Sequence, residues 1–328
     1  MSKELELWQF IVTRLRKHET VMLLIVAESS GSSPGREGYK MVVTADGDLH
    51  GSIGGGVMEV SLVQQARQAL QATGTNNPES RSPLIKEQVH QKNSPDSSGM
   101  ICSGKQTVIF RSLKPENIET VAEIIAAIQS QTPAFLAITP DGFTVGPPMD
   151  GDLGRDFQCD KQSQTDFVYI EKLGPKNELC IIGGGHCSLA LSELMSKMDF
   201  HIRILDDRPQ LNTLEKNKFA DEIRIIDRYE GVSEVVTGGK NVYVVVMTLG
   251  YRSDETVIRS LFDKEFKYLG VLGSKAKMAT LIKTLRADGL DPDRLAKIHT
   301  PIGIPINSRT PEEIAVSIAA EIIAVKNS

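Results

Sequence analysis

The stretch Leu179-Cys-Ile-Ile-Gly-Gly-Gly-His-Cys-Ser-Leu-Ala-Leu-Ser-Glu-Leu-Met195 decides the fold of the second half of the chain. Leu179 to Ile182 is an apolar run that reads as a buried parallel strand, and it ends in Gly183-Gly184-Gly185. A helix follows, with Leu189, Ala190, Leu194 and Met198 on one side. A second strand, His201 to Leu205, ends in Asp206-Asp207. Glycines let a backbone turn tightly and approach a ligand, and a helix N-terminus offers unpaired N–H groups to an anion. A carboxylate at the end of the second strand can accept bonds from ribose hydroxyls. Strand, glycine turn, helix, strand and acid together give a Rossmann-like opening, with Ser188 where the third glycine of the pattern usually stands. His186 follows the turn directly. It reads either as a ligand contact at the crevice or as a solvated first-turn residue.

Outward from that stretch, the chain alternates strand and helix. Glu222 to Ile226, Asn241 to Met247 and Tyr268 to Leu272 are strand candidates; Asp254 to Phe262 and Lys275 to Leu285 are helix candidates. Thr310-Pro-Glu-Glu313 carries a capping box and opens a last helix to Lys326. This predicts an α/β unit over 174–328, a parallel sheet with helices on both faces. Ligands of such sheets bind at the carboxyl ends of the strands. Met247 to Asp254, Leu272 to Lys277 and His299 to Asn307 are placed at such ends, and Ser274 with Lys275 reads as a phosphate contact or as a solvated helix cap.

Residues 1–173 read as a separate α+β domain. An amphipathic helix over about 3–18 puts Trp8 in the core. Val21 to Ala27 and Tyr39 to Thr44 are strands flanking the polar loop Glu28 to Gly38. A second glycine turn, Gly54-Gly55-Gly56, opens another helix and is a second candidate anion cradle. Glu59, one turn on, either favours the positive helix end or polarises a bound ligand. Gly74 to Ser98 is polar and proline-rich, so a mobile segment is expected over about 74–104, with a short strand near Leu84 to Val89. Cys102 closes that segment among small and polar residues, with Lys105 near to favour its thiolate; the alternative is an incidental cysteine. The run from Gly146 to Asp166, Cys159 included, reads as irregular, and Gly174 to Glu178 as the domain boundary.

The totals exclude several classes. The 328 residues are 40% hydrophobic and 24% charged, with a formal net charge of −5. An acidic balance disfavours general binding to nucleic acid or an anionic membrane. No apolar run approaches the roughly 20 residues that span a bilayer. Four cysteines without CxxC spacing, and a charged N-terminus unlike a signal peptide, lead us to expect a cytoplasmic protein.

Together these motifs resemble the XdhC/CoxI family, accessory proteins of xanthine dehydrogenase and related molybdenum hydroxylases. The N-terminal half of the resemblance is Gly31 to Gly38, Gly51 to Glu59 and Met100-Ile-Cys-Ser-Gly104. The C-terminal half is Ile182 to His186, Asp206-Asp-Arg-Pro209, Tyr268 to Lys275, His299 to Gly303 and Thr310 to Ala315. The resemblance implies a non-catalytic chaperone that binds molybdenum cofactor (molybdopterin), helps it receive sulfur from a cysteine desulfurase and inserts it into a molybdenum hydroxylase of the xanthine dehydrogenase type. It also implies a homodimer. Carried over, Cys102 becomes the contact to molybdenum or its sulfur. Gly54, Gly55, Gly56 and Glu59 become the glycine loop and acid, and Gly183, Gly185, His186 and Asp206 the Rossmann turn. Two positions depart from the pattern: Ser103 where the family has glycine, and Leu249 where it has histidine. Two other classes compete: a nicotinamide-dependent oxidoreductase, resting on Gly183-x-Gly185 and Asp206 with a nucleotide in that turn, and a scaffold that only docks onto partner proteins.

Overall fold

The computed structural model describes residues 3–72, 84–89, 104–130, 134–147, 156–174, 177–198 and 200–328. The chain forms two compact units that meet in sequence at Gly174 and Pro175. In chain order the first unit holds α1 (Lys3–Arg16), β1 (Val21–Gly31), β2 (Lys40–Thr44), β3 (Leu49–Gly51), α2 (Gly56–Gln71), β4 (Leu84–Val89), β5 (Gly104–Leu113), α3 (Ile118–Ser130), β6 (Ala134–Ile138), β7 (Phe143–Gly146), β8 (Phe157–Lys161) and β9 (Phe167–Leu173). The second holds β10 (Glu178–Ile182), α4 (His186–Met195), β11 (His201–Asp206), α5 (Asn212–Glu215), β12 (Glu222–Ile225), α6 (Val232–Val235), β13 (Gly239–Val246), α7 (Tyr251–Leu261), β14 (Phe266–Val271), α8 (Lys275–Ala287), α9 (Pro292–Leu295) and α10 (Pro311–Lys326).

The first unit contains a five-stranded antiparallel sheet in the order β3-β2-β1-β5-β4 and a four-stranded one in the order β7-β6-β9-β8. Strand period sets the layers. Along β1, Val21, Leu23, Ile25 and Ala27 join the core with α1 and α3, while Met22, Leu24 and Val26 join the core with α2. Trp8 is fully buried. The run around Cys159, expected to be irregular, is instead strand β8, paired antiparallel with β9 from Phe157–Glu171 to Lys161–Phe167. Phe157 and Cys159 turn to the core and alternate with Gln158 and Asp160, but the five-residue pattern is too short to stand out, and pairing with β9 settles it as a strand.

The two sheets of this unit are tied through a buried charge. The Lys40 ammonium on β2 lies 2.6 Å from Glu171 on β9 and 3.1 Å from Glu4 on α1, and it also donates to Gly38 O. Tyr169 donates to the other Glu171 oxygen at 3.0 Å. Burial alone would lower the lysine pKa, but Glu171 and Glu4 outweigh it and hold the ammonium above its ordinary range.

The second unit is a parallel sheet in the order β12-β11-β10-β13-β14. A single parallel bridge, Gly270 to His299, occupies the sixth position, so the stretch from His299 begins at a strand position rather than following one. On β10, Leu179 and Ile181 face the core shared with α4 and α10, and Cys180 and Ile182 face the core shared with α7 and α8. On α4 the fully buried residues are Ser188, Leu191, Ser192 and Met195. The expected stripe, Leu189, Ala190, Leu194 and Met198, is only partly buried, its last three residues packing against the same core. Two serines among the buried positions let the helix sit close to the sheet, and the helix also packs against α10. Among the described residues, no helix is long and apolar enough to cross a membrane.

The Lys40–Glu171 pair makes a stability test. Lys40→Met strips the positive charge from beside a fully buried carboxylate and is expected to cost about 3–5 kcal/mol in chemical denaturation. The double variant Lys40→Met/Glu171→Leu is expected to recover most of that loss. Equal loss in both would show that packing, not the charge, is what the position supplies.

Candidate functional site

In the first unit, three separated segments come together. Gly54, Gly55 and Gly56 have φ of 126°, 74° and 73°, a left-handed run that side chains resist. A Cβ at Gly54 would collide with Pro34 and Gly35, and one at Gly35 with the Ile53 carbonyl, so these two loops touch backbone to backbone. A Cβ at Gly104 would collide with the backbone of Ser32 and Ser33. Gly104 also pairs with Gly31 at the end of the β1–β5 ladder. Gln106, on β5 and buried, ties the loops: its Nε2 donates to Ile53 O at 3.1 Å, and its Oε1 accepts from Ser33 Oγ at 3.0 Å.

The glycine loop is folded around a carboxylate of its own. Glu59 Oε2 accepts from Ser52 Oγ at 2.7 Å, Ile53 N at 2.8 Å and Gly55 N at 3.0 Å, and Gly54 N donates to Ser52 Oγ. The cradle expected for an outside anion is therefore filled from within. Burial alone would raise the Glu59 pKa; the hydrogen bonds from Ser52 and from the Gly55, Ile53 and Gly54 amides outweigh it and hold the group below the usual glutamate range. Its stabilisation is complete above the ordinary glutamate pKa and is lost as pH falls through the lowered value. An ionised Glu59 orders the loop and is poorly suited to protonating a ligand. Cys102 lies outside the described residues. Gly104, two positions on, is the nearest described residue on its C-terminal side and is seated on Ser32–Ser33.

In the second unit the strand order reverses between β10 and β13, the crevice position of such sheets. Gly183 has φ 113°, and a Cβ there would collide with the Met247 carbonyl at the end of β13. Gly185 has open space where its Cβ would stand. No side chain caps α4, so the amides of its first turn face the crevice, with His186 exposed beside them. Cys187 is pushed above the usual thiol range by burial and by Glu312, which keeps it a thiol.

Asp206 does not present its carboxylate to the crevice. It is fully buried and accepts from Gly184 N at 2.6 Å, from Arg208 N at 2.8 Å, and from Arg208 Nε and Nη2 at 2.9 and 2.7 Å. The expected ribose acceptor is thus a clasp on the turn. Burial alone would raise its pKa; the bonds from Arg208 and Gly184 hold it below the usual aspartate range. The acid at this strand end that reaches solvent is Asp207, which accepts from Tyr229.

Ser274 takes the cap alternative, accepting from Lys277 N at 3.3 Å, and Lys275 is exposed next to it. Asp254 is buried under the next loop and accepts from Thr248 N, Thr248 Oγ1 and Lys277 Nζ at 3.2, 2.6 and 3.2 Å. That loop carries Leu249 with 83% of its surface exposed. Glu321 on α10 accepts from Gly303 N at 2.8 Å and from Tyr268, and lies 3.3 Å from His299 Nδ1. Sequence reasoning missed Gln106, Arg208, Asp254 and Glu321 as site-forming groups. Arg208 had a signal, two positions after the acid in Asp206-Asp-Arg-Pro209. Gln106 had none, since a glutamine in a strand reads as a surface residue.

A family model described as the XdhC Rossmann domain matches residues 179–322, and one described as the XdhC and CoxI family matches residues 14–77. An uncharacterised protein YqeB of Escherichia coli (strain K12) is 23% identical over 305 residues, 92% of this chain and 43% of that protein. A Bacillus subtilis (strain 168) protein, named as a probable xanthine dehydrogenase subunit, is 31% identical over 163 residues, 50% of this chain and 47% of that protein. The chain spans about half the length of these curated relatives or less. The crystal structure of a xanthine dehydrogenase from Bacillus halodurans shares the fold, with a TM-score of 0.72 and 22% identity over 100% of this chain and 96% of that one.

The turn at Gly183 separates two glycines that look alike in sequence. Gly183→Ala is expected to destabilise by roughly 3 kcal/mol, from its positive φ and the collision with Met247. Gly185→Ala, in open space, should cost about 1 kcal/mol or less, with thermal melts of the two variants measuring both. Equal costs would contradict the turn described.

Proposed function

This chain belongs to the XdhC and CoxI family, and from that premise we propose that it is an accessory protein that binds molybdenum cofactor, supports its sulfuration and passes it to a molybdenum hydroxylase of the xanthine dehydrogenase type. The name of the Bacillus subtilis relative, a probable xanthine dehydrogenase subunit, supports that client class. The sulfur donor on this reading is a cysteine desulfurase, and the working form is a homodimer.

The observation that carries the reading is the convergence in the first unit. The loops Gly31 to Gly38 and Gly51 to Glu59 and the start of β5 at Gly104 meet through Gln106, and Cys102 is two residues from Gly104. A soft thiolate suits a sulfur-bound molybdenum centre. Cys102 is therefore the residue we assign to the metal end, two positions before Gly104, whose backbone meets that of Ser32 and Ser33. In the second unit, the uncapped first turn of α4 at Gly185, with His186 beside it, suits the pterin phosphate, which an N–H-rich helix end attracts. Ser274 and Lys275 are a secondary anion contact, since the Ser274 hydroxyl is already used as a cap. The role is carriage rather than turnover: the residues assigned to the cofactor bind and orient it, and the chemistry belongs to the client.

The oxidoreductase reading loses its main support at Asp206. The carboxylate that would read a ribose is buried under Arg208, and using it would require that ion pair to open.

Purified chain mixed with molybdopterin or molybdenum cofactor is expected to bind it, and Cys102→Ala to weaken that binding about tenfold or more, near 1.4 kcal/mol. A wild-type chain that takes up no cofactor at any concentration tested would contradict the reading. Full binding by Cys102→Ala would move the metal end away from Cys102.

A further inference from the structure

We infer that Gln106 is a positioning residue that couples the Gly31 to Gly38 loop and the Ile53 to Glu59 loop, so that the two move as one body beside Gly104. Its bearing on cofactor binding rests on the function proposed above; the coupling itself does not.

Gln106 stands on β5 opposite Ser29, with 2% of its surface exposed. Both ends of its amide are committed. A carbonyl only accepts, so the NH2 must face Ile53 O, which leaves the amide oxygen for the Ser33 hydroxyl. The Ile53 residue is therefore held from both sides, its N–H by Glu59 and its C=O by Gln106. Ser33 is itself buried. No side chain separates the loops where Gly35 meets Ile53 and Gly54, so a shift in one is a collision in the other. Truncating Gln106 would leave Ile53 O and Ser33 Oγ buried and short of a partner and would open a gap at the junction. Both loops would then loosen together, although neither contains the altered residue.

The test is hydrogen exchange on the full chain, comparing wild type, Gln106→Ala and Val108→Ala. Val108 is a fully buried apolar residue two positions along the same strand, in the core that also holds Ile53, so its truncation destabilises that core while leaving both Gln106 hydrogen bonds in place. Gln106→Ala is expected to speed exchange about tenfold or more in both loops, relative to β2 and β3. Val108→Ala is expected to show no such selectivity. Exchange that rises in one loop only, in neither, or equally in the Val108→Ala chain overturns the inference. Should Gln106→Ala fail to fold, Gln106→Glu replaces it. Its introduced carboxyl can donate to Ile53 O only when protonated, so loop protection should be lost at neutral pH and recover as pH is lowered toward the ordinary glutamate value, where Glu59 still clasps the loop; protection unchanged over that range overturns the inference. Wild-type failure to bind molybdopterin would sink the proposed function and leave this result standing.

Discussion

The structure depends on a repeated device: a carboxylate of the chain itself accepts the N–H groups of a turn that glycine makes possible. Glu59 does this for the Ile53–Gly55 loop and Asp206 for Gly184. Asp254 holds the Thr248 loop and Glu321 the Gly303 turn in the same way. Sharp turns expose amides that would otherwise need solvent or a ligand, and an ionised carboxylate accepts them with charge-assisted bonds about twice as strong as neutral ones. Each turn can then be tight without an outside partner.

This device decides which groups are left for chemistry. The amides that a sequence pattern assigns to a phosphate are spent at Gly54 and Gly55 and at Gly184. Those at the first turn of α4 remain, next to the open space at Gly185. The ribose acid is spent as well, and Arg208 adds its guanidinium to the closure. What the molecule offers a ligand is therefore narrower than a dinucleotide fold ordinarily provides. It is one helix end in the second unit and, in the first, the glycine backbone where the Gly31 to Gly38 and Gly51 to Glu59 loops and Gly104 meet.

Much of this fold was legible in the sequence. Apolar period placed β10, β13 and α10, and Thr310 with Glu313 marked a capping box that the structure forms. Strand β8 was not legible, because its alternation of Phe157 and Cys159 with Gln158 and Asp160 spans only five half-exposed residues at a sheet edge, too short to tell from a loop. At the site, the glycines were readable as turns, yet the direction of each carboxylate was not. Glu59 and Asp206 have the same local sequence whether they reach for a ligand or fold back on the turn. Only the tertiary geometry, with Ser52 or Arg208 closing the other side, separates the two. Gln106 was invisible for a related reason. Its partners Ser33 and Ile53 lie 73 and 53 residues away in sequence, and the two loops that carry them meet only in the fold.

The most direct test of the central point is a pH titration of the Glu59 and Asp206 carboxyl carbons by NMR, in the full chain without ligand. We expect both to titrate below the ordinary values of about 4.3 for glutamate and 3.9 for aspartate, because the charged forms hold the turn amides. Ordinary or raised values at either position would mean that the carboxylate is not clasping its turn, and that the amides there are free for a ligand.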